Sequence, residues 1–319
     1  HRAFDLGAES GRAVVGRIDG GRLRLHEVHR FANGPVRVLD SLHWDVLRLW
    51  SEIKHGLALA ARDAAEDGKP LASIGLDTWG IDFGLLAADD SLLGNPFHYR
   101  DRRTEGMLDE AFHRVPRAEI YRQTGVQFMQ INTLYQLLAM ARAGSPPLAA
   151  ARRLLNMPDL FNFWLSGHKA SEFSIATTTQ CYNPVARTWA RDLLDRLAIP
   201  GHILGEIVPP GTVLGRLLPA VAAETCSAAV QVVAGAGHDT AAAVAAVPAA
   251  GQDWIYLSSG TWSLMGIEAA QPIIDDRSLA YDFTNEGGVG GTIRFLKNIV
   301  GLWLVQECRR EWQRAGEAE

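Results

Sequence analysis

Cysteine is scarce in this chain. Cys181, Cys226 and Cys308 are the only three in 319 residues, they lie far apart, and no CxxC or Cys/His pair stands at metal-ligand spacing. A disulfide framework and a zinc site are thereby excluded, and a reducing cytoplasm is the expected compartment. No apolar run approaches the roughly 20 residues that span a bilayer, and no signal-peptide pattern opens the chain. Positive charge is not in excess: the formal net charge is −5, the pI is near 6.1, and the one basic cluster, Arg100 to Arg103, is interrupted by Asp101. Nucleic acid and membrane are therefore not expected as partners. GxxxxGK[ST] is absent, which excludes an ordinary P-loop, and no GxGxxG follows the first strand pattern. A methionine is also lacking at position 1, so the natural start is expected upstream of His1.

What is present is ordinary globular material, 47% hydrophobic and 21% charged, long enough for two domains with a core in each. One stretch organises the rest. Val230 to Ala234 reads as a buried strand, Ala241 to Ala246 as a helix closed by Pro248, and between them lies Gly235-Ala236-Gly237-His238-Asp239-Thr240. Glycines there permit close approach of a ligand, and the N–H groups that open a helix favour an anion. On local sequence alone Asp239 is equally a helix cap and a site carboxylate.

The first thirty residues read as a β-meander: a strand over 2–6, a turn at Gly7 to Gly11, a strand over 12–18, an Asp19-Gly20 hairpin signal and an alternating strand over 22–31. A helix opens at Asp45, with Leu47, Leu49, Trp50, Ile53, Leu57 and Ala60 as its apolar face. Strands over 72–76 and 83–87 flank Asp77-Thr78-Trp79-Gly80-Ile81-Asp82. This β-β-β-α-β order belongs to a mixed sheet covered by helices. Residues 95–104 read as a loop. Helices are expected over 104–112, 117–124, 132–143, 158–165 and 189–198, with a polar, Thr-rich surface or cleft loop over 171–180. The Pro- and Gly-rich segment 200–215 is the expected domain boundary. Strands over 254–258, 261–268 and 292–296 and a helix over 301–314 complete the chain. That helix runs into a polar tail with no evident tertiary partner.

The strand–turn–strand unit at residues 3–18 recurs in form at 254–267. Each unit brings a turn with free backbone donors to a sheet end, where such nests hold phosphate. Two such turns suggest a nucleotide held between two lobes, although Gly-rich hairpins are common in any sheet.

Asp5-Leu6-Gly7-Ala8-Glu9-Ser10-Gly11-Arg12, followed far downstream by Gly237-His238-Asp239-Thr240, resembles the FGGY carbohydrate kinases of the actin/Hsp70/hexokinase-like superfamily. Gly75 to Phe83, Tyr99 to Thr104, Ser258 to Gly266, Thr284 to Gly288 and Leu296 to Gln306 match the family in the same order along essentially the whole chain. The resemblance implies an α/β, ribonuclease H-like two-lobe fold with mixed sheets. It implies an N-terminal domain over 1–210 and the opening, incomplete part of a C-terminal domain over 211–319.

The same resemblance implies ATP-dependent phosphorylation of a ketose, L-rhamnulose before L-fuculose or xylulose. Asp239 would accept the sugar hydroxyl's proton, a task that suits a carboxylate beside a transferring phosphoryl group. Gly80, His238, Thr240 and Asn298 would contact the sugar. Ala8, Glu9, Ser10, Gly11 and Arg12 would cradle the ATP phosphates, with Thr261 at the γ-phosphate and Gln306 as a further ATP contact. Asp5 would hold Mg²⁺, probably the wrong distance for direct ligation and so through water. Read as residues, Asp77 and Asp82 serve equally as sugar acceptors or loop caps, Trp79 is more often a core residue, and Asn298 and Gln306 have cap and surface readings. Glu9 beside phosphates is repulsive unless Mg²⁺ or Arg12 compensates. Asp5, Arg12 and Asp239 together argue against the alternative of a catalytically silent sugar-binding relative.

Overall fold

The computed structural model describes residues 1–66, 68–251 and 253–316. Its first part is the expected meander, β1 (Arg2–Leu6), β2 (Ser10–Asp19) and β3 (Arg22–Ala32), followed by a small hairpin, β4 (Pro35–Val38) and β5 (Ser41–Trp44). Helix α1 (Val46–Glu66) then crosses to β6 (Ser73–Thr78). Val46, Leu49, Ile53, Leu57, Ala60 and Ala64 recur at three- and four-residue spacing and are buried, so one stripe of α1 seals the sheet. Each fully buried Leu or Ile contributes about 1.5–3 kcal/mol through removal from water.

A helical layer follows: β7 (Phe83–Leu86), α2 (Met107–Arg114), α3 (Arg117–Thr124), α4 (Thr133–Arg142), α5 (Pro146–Ala150), β8 (Arg153–Asn156) and α6 (Met157–Ser166). Next come β9 (Ser171–Glu172), α7 (Phe173–Ala176), β10 (Tyr182–Asn183), β11 (Thr188–Trp189), α8 (Arg191–Arg196) and β12 (Ile207–Val208). The Thr-rich segment is not a surface loop. Ser171, Glu172 and residues 174–180 are buried, because Thr177, Thr178 and Thr179 each donate a hydroxyl hydrogen bond to the carbonyl three residues earlier. Polarity that is satisfied locally costs little to bury.

The chain then returns to the first sheet through β13 (Thr212–Arg216), α9 (Pro219–Glu224), β14 (Gln231–Ala234) and the short helix α10 (Asp239–Ala245). The strand order is β13-β14-β6-β1-β2-β3, with β14, β6 and β1 parallel and the outer strands antiparallel. A division at residue 210 cuts through this sheet. The Pro/Gly-rich segment is a loop within the first lobe, and the carboxylate turn at Asp239 belongs to that lobe and not to the second.

The second lobe is a four-stranded antiparallel sheet, in the order β15 (Tyr256–Ser259), β16 (Trp262–Ala269), β18 (Ile293–Val300) and β17 (Thr284–Gly287). It carries the short helix α11 (Asp276–Ala280) and the final helix α12 (Trp303–Arg314). Asn298 therefore lies inside a strand, since the expected strand over 292–296 continues to Val300. The two lobes meet along β17. Asn285 donates from N and Nδ2 to Gly125 O (2.9 and 3.0 Å), Gly287 N donates to Thr177 Oγ1 (2.7 Å), and Tyr121 donates its hydroxyl to Phe283 O (2.8 Å).

Candidate active site

The parallel register of β1, β6 and β14 sets three carboxylates side by side. Asp5 and Asp77 are partners across β1 and β6. Thr78 bridges to His238 just beyond β14, with Thr78 N donating to Gly237 O at 2.9 Å, which brings Asp239 to the same sheet end. Arg12, opposite Asp5 across β1 and β2, puts Nε 3.4 Å from Asp5 Oδ2. Burial raises the pKa of Asp77 well above the usual carboxylate range, and the charges of Asp5 and Asp239 raise it further. Asp5 is raised for the same first reason, with Arg12 working against it and Asp239 adding to it.

These groups line a cleft of about 640 Å³ between the lobes. Asp5, Ala8, Glu9, Ser10, Arg12, Asp77, Trp79, Gly80, His238, Asp239, Thr240, Thr261, Asn298 and Gln306 all contribute to its wall. Gly11 does not. It is a buried residue of β2, and a Cβ there would meet the Phe31 ring at 2.3 Å. The first glycine-rich turn is accordingly shorter than expected, Gly7 to Glu9, closed by Gly7 N donating to Ser10 O at 2.9 Å.

Asp82 lies outside the cleft. Its Oδ2 accepts from Trp44 Nε1 (2.6 Å), Trp79 Nε1 (3.0 Å) and Tyr99 N (3.2 Å), and its Oδ1 from Gln136 Nε2 (2.9 Å). It is the buried hub of the loop that carries Gly80. Trp79 has both fates: its ring packs 4.0 Å from that of Trp44, and part of it faces the cleft. Gly80 is needed for space. A Cβ there would stand 3.4 Å from both His238 Nε2 and Thr178 Oγ1.

The Asp239 turn is buttressed from behind by a residue that reading the sequence passed over. Glu172 accepts from Gly237 N (2.8 Å), Ser174 N (2.8 Å), Ser174 Oγ (2.6 Å) and Ile175 N (3.1 Å). Ser174 Oγ in turn accepts from His238 N at 3.2 Å. At the front, Asp239 Oδ1 accepts from Thr240 N (2.5 Å) and Thr240 Oγ1 (3.1 Å). His238 is an N-cap and Asp239 the first residue of α10.

Glu286 and Arg294 were also missed as a pair. They are cross-strand partners on β17 and β18, both buried, 3.0 Å apart, and both reach His238 Nδ1. Burial opposes ionisation of Glu286, yet the Arg294 guanidinium and neighbouring His238 hold its pKa below the usual range. An acid and a base at mirrored positions of a predicted hairpin was the available signal.

On the other side of the cleft, Thr261 sits in the turn between β15 and β16, and Gln306 Nε2 donates to its Oγ1 at 3.4 Å. Gly301 allows the chain to double back here. A Cβ would stand 2.6 Å from Gly260 O, while Leu302 N donates to that same oxygen at 2.9 Å. Asn298 is held by Gln127, whose Oε1 accepts from its N at 3.0 Å. Helix α12 does have tertiary partners. Arg310 pairs with Glu9 at 2.8 Å, and Arg100 lies over the rings of Tyr99, Trp262 and Trp303 at 5.2, 5.6 and 4.7 Å. Glu9 thus has a cation on the opposite lobe.

Two sheets facing across a cleft, with an aspartate turn and two glycine-rich turns at its walls, define the class. Residues 2–246 match the N-terminal domain, and residues 255–319 the C-terminal domain, of the FGGY family of carbohydrate kinases. The chain belongs to that family. Within it, the chain is similar to the rhamnulokinases of Bacteroides thetaiotaomicron (44% identical over 310 residues) and Oceanobacillus iheyensis (41% over 310). Each match covers 97% of this chain and respectively 63% and 65% of the relative, so the chain spans less than two thirds of their length. Among solved structures, xylulose kinase from Lactobacillus acidophilus superposes with a TM-score of 0.84 at 18% identity, covering 99% of this chain and 64% of that one. Among the described residues no helix is long and apolar enough to cross a membrane.

Proposed function

We propose that this chain carries the sugar site and the phosphate-facing turns of an ATP-dependent ketose kinase, with L-rhamnulose as the sugar phosphorylated at its 1-hydroxyl. The observation that carries this reading is the placement of Asp239 beside Asp5 and Asp77 at the ends of adjacent strands, facing Thr261 across one cleft. The choice of L-rhamnulose rests on the relatives named rhamnulokinase.

In this mechanism the sugar is held by Gly80, His238, Thr240 and Asn298. Asp239 takes the hydroxyl proton as the sugar oxygen bonds to the γ-phosphorus, and the bond from that phosphorus to the β–γ bridging oxygen breaks to release ADP. Ala8, Glu9, Ser10 and Thr261 offer backbone and hydroxyl groups to the phosphates, and Arg12 supplies fixed positive charge where negative charge develops. Gln306 orients Thr261. Holding both reactants in line between two walls supplies much of the acceleration.

The acidic side of the cleft fits a hard cation held through water. Oxygen donors outnumber the one guanidinium there, while no group of three ligating side chains forms a direct cage among the described residues. Asp5 would hold Mg²⁺ in this way, and the ion would offset phosphate charge. The three unpaired cysteines suit the cytoplasm, where we place the reaction.

The test is ADP release measured with a panel of ketoses, on this chain and on one extended to the length of its relatives. L-Rhamnulose should give the highest kcat/KM. Turnover of another ketose alone would move the specificity, and no turnover by the extended chain with any ketose would overturn the reading.

A further inference from the structure

Arg294 belongs to the second lobe, has no exposed surface, and ends at the Asp239 turn of the first. Its Nε donates to Gly287 O at 3.0 Å. Its Nη2 stands 3.0 Å from Glu286 Oε2 and 3.0 Å from His238 Nδ1. Glu286 Oε2 is itself 3.2 Å from the same Nδ1. Three groups therefore meet at one ring nitrogen, and only one assignment of protons satisfies them all.

A guanidinium has donors and no acceptor. The nitrogen facing Arg294 must therefore present a lone pair, and the two protons on Nη2 then have one acceptor each, His238 Nδ1 and Glu286 Oε2. The other tautomer would donate from Nδ1 to Glu286. It would set an N–H of His238 against an N–H of Arg294 and leave a buried donor orphaned. The network thus decides which ring nitrogen carries the proton.

We propose that Arg294 and Glu286 are positioning residues that hold His238 as the neutral Nε2–H tautomer, so that the turn presents a fixed donor beside the carboxylate of Asp239. Nε2 is 3.4 Å from Asp239 Oδ1, an oxygen already accepting from Thr240 N and Oγ1. The Nε2–H is consequently left for a ligand in the cleft, next to Gly80, whose missing side chain leaves the ring room. A ligand suited to this pair has an accepting oxygen adjacent to the hydroxyl it surrenders to Asp239, as a ketose has at its carbonyl carbon. That the ligand is a sugar rests on the kinase reading. The tautomer does not.

The experiment is ¹⁵N NMR of the full chain labelled at histidine, with the His238 signals assigned by their loss in His238→Asn. The expected result is one ring with a protonated Nε2 and an unprotonated Nδ1 at neutral pH. Arg294→Lys retains a cationic donor and should keep that tautomer, whereas Arg294→Met should move the proton to Nδ1, facing Glu286. Titration with L-rhamnulose should show affinity falling about 10-fold or more in Arg294→Met, with ATP affinity little changed. A protonated Nδ1 in the unsubstituted chain overturns the proposal, and so does an unchanged tautomer in a folded Arg294→Met. Should Arg294→Met fail to fold, the unsubstituted chain and Arg294→Lys still decide it. An Nε2–H ring in a chain that binds no ketose would sink the kinase reading and leave the positioning roles standing.

Discussion

Asp5 and Asp77 are direct partners on adjacent parallel strands, with backbones about 4.8 Å apart. Two acids at that spacing repel each other, and Asp239 adds a third charge to the same edge, so both are held above the ordinary carboxylate range. The arrangement is unfavourable on its own and becomes favourable once cationic charge arrives. Arg12, 3.4 Å from Asp5, is the part of that compensation built into the chain.

Arg12→Ala should weaken ATP binding by about 10- to 100-fold, the usual worth of a hydrogen bond to a charged group. Isothermal titration measures it. Since Arg12 and Asp239 share one sheet, a smaller loss of sugar affinity is expected as well. Unaltered ATP affinity would limit Arg12 to neutralising Asp5.

Asp239→Asn, in a chain extended to the length of its relatives, should lower turnover by about 10²–10⁴-fold while L-rhamnulose still binds. Asn keeps the bonds from Thr240 and loses only basicity. Near-normal ADP release would reduce Asp239 to a helix-start residue.

Glu172→Ala should destabilise the chain by about 3 kcal/mol or more, because it orphans four buried donors at once. Urea unfolding gives this number directly. Turnover in the folded fraction should fall too, since Gly237 and His238 lose their support. Full turnover in that fraction would show that the turn holds its shape without the buttress.

Burial raises the Asp82 pKa from 3.8 to about 6, against the hydrogen bonds from Trp44, Gln136 and Trp79. The folded state therefore binds this proton more tightly than the unfolded state. Its contribution to stability is complete below about pH 4 and is lost as the pH rises through about 6, a change of about 3 kcal/mol. Asp82→Asn should remove that slope, so the difference in unfolding free energy between the two chains should vary across this interval. A constant difference from pH 4 to 7 would mean that Asp82 titrates normally.

Much of this was legible beforehand because the informative features are local. The β1–β2 turn, the Asp239 turn and the apolar stripe of α1 declare themselves by spacing and glycine. What stayed hidden depends on contacts between distant segments. Glu172 lies 65 residues from the Gly237 amide it supports. The Thr-rich segment reads as exposed because its hydroxyl bonds to its own carbonyls leave no trace in composition. The strand pairing of β14 with β6 moved the Asp239 turn into the first lobe, and no run of Pro and Gly could reveal that. Asp82 stands five residues from Asp77 with the same chemistry, and only the convergence of Trp44, Trp79 and Gln136 separates a core acid from a site acid.

The attachment of the second sheet along β17 makes that sheet a lever. Its pivot is the row of bonds at Phe283, Asn285 and Gly287, and its strands lie at increasing distance in the order β18, β16, β15. The outer strand is three spacings out, about 14 Å, and Asn298 on β18 is only one. A swing of about 10° would carry the Thr261 end by roughly 2.5 Å and the Asn298 strand by less than about 1 Å, from the same spacings. The wall that meets the sugar thus stays nearly still while the wall that meets the phosphates travels, so the first ligand can find its place before the second is clasped.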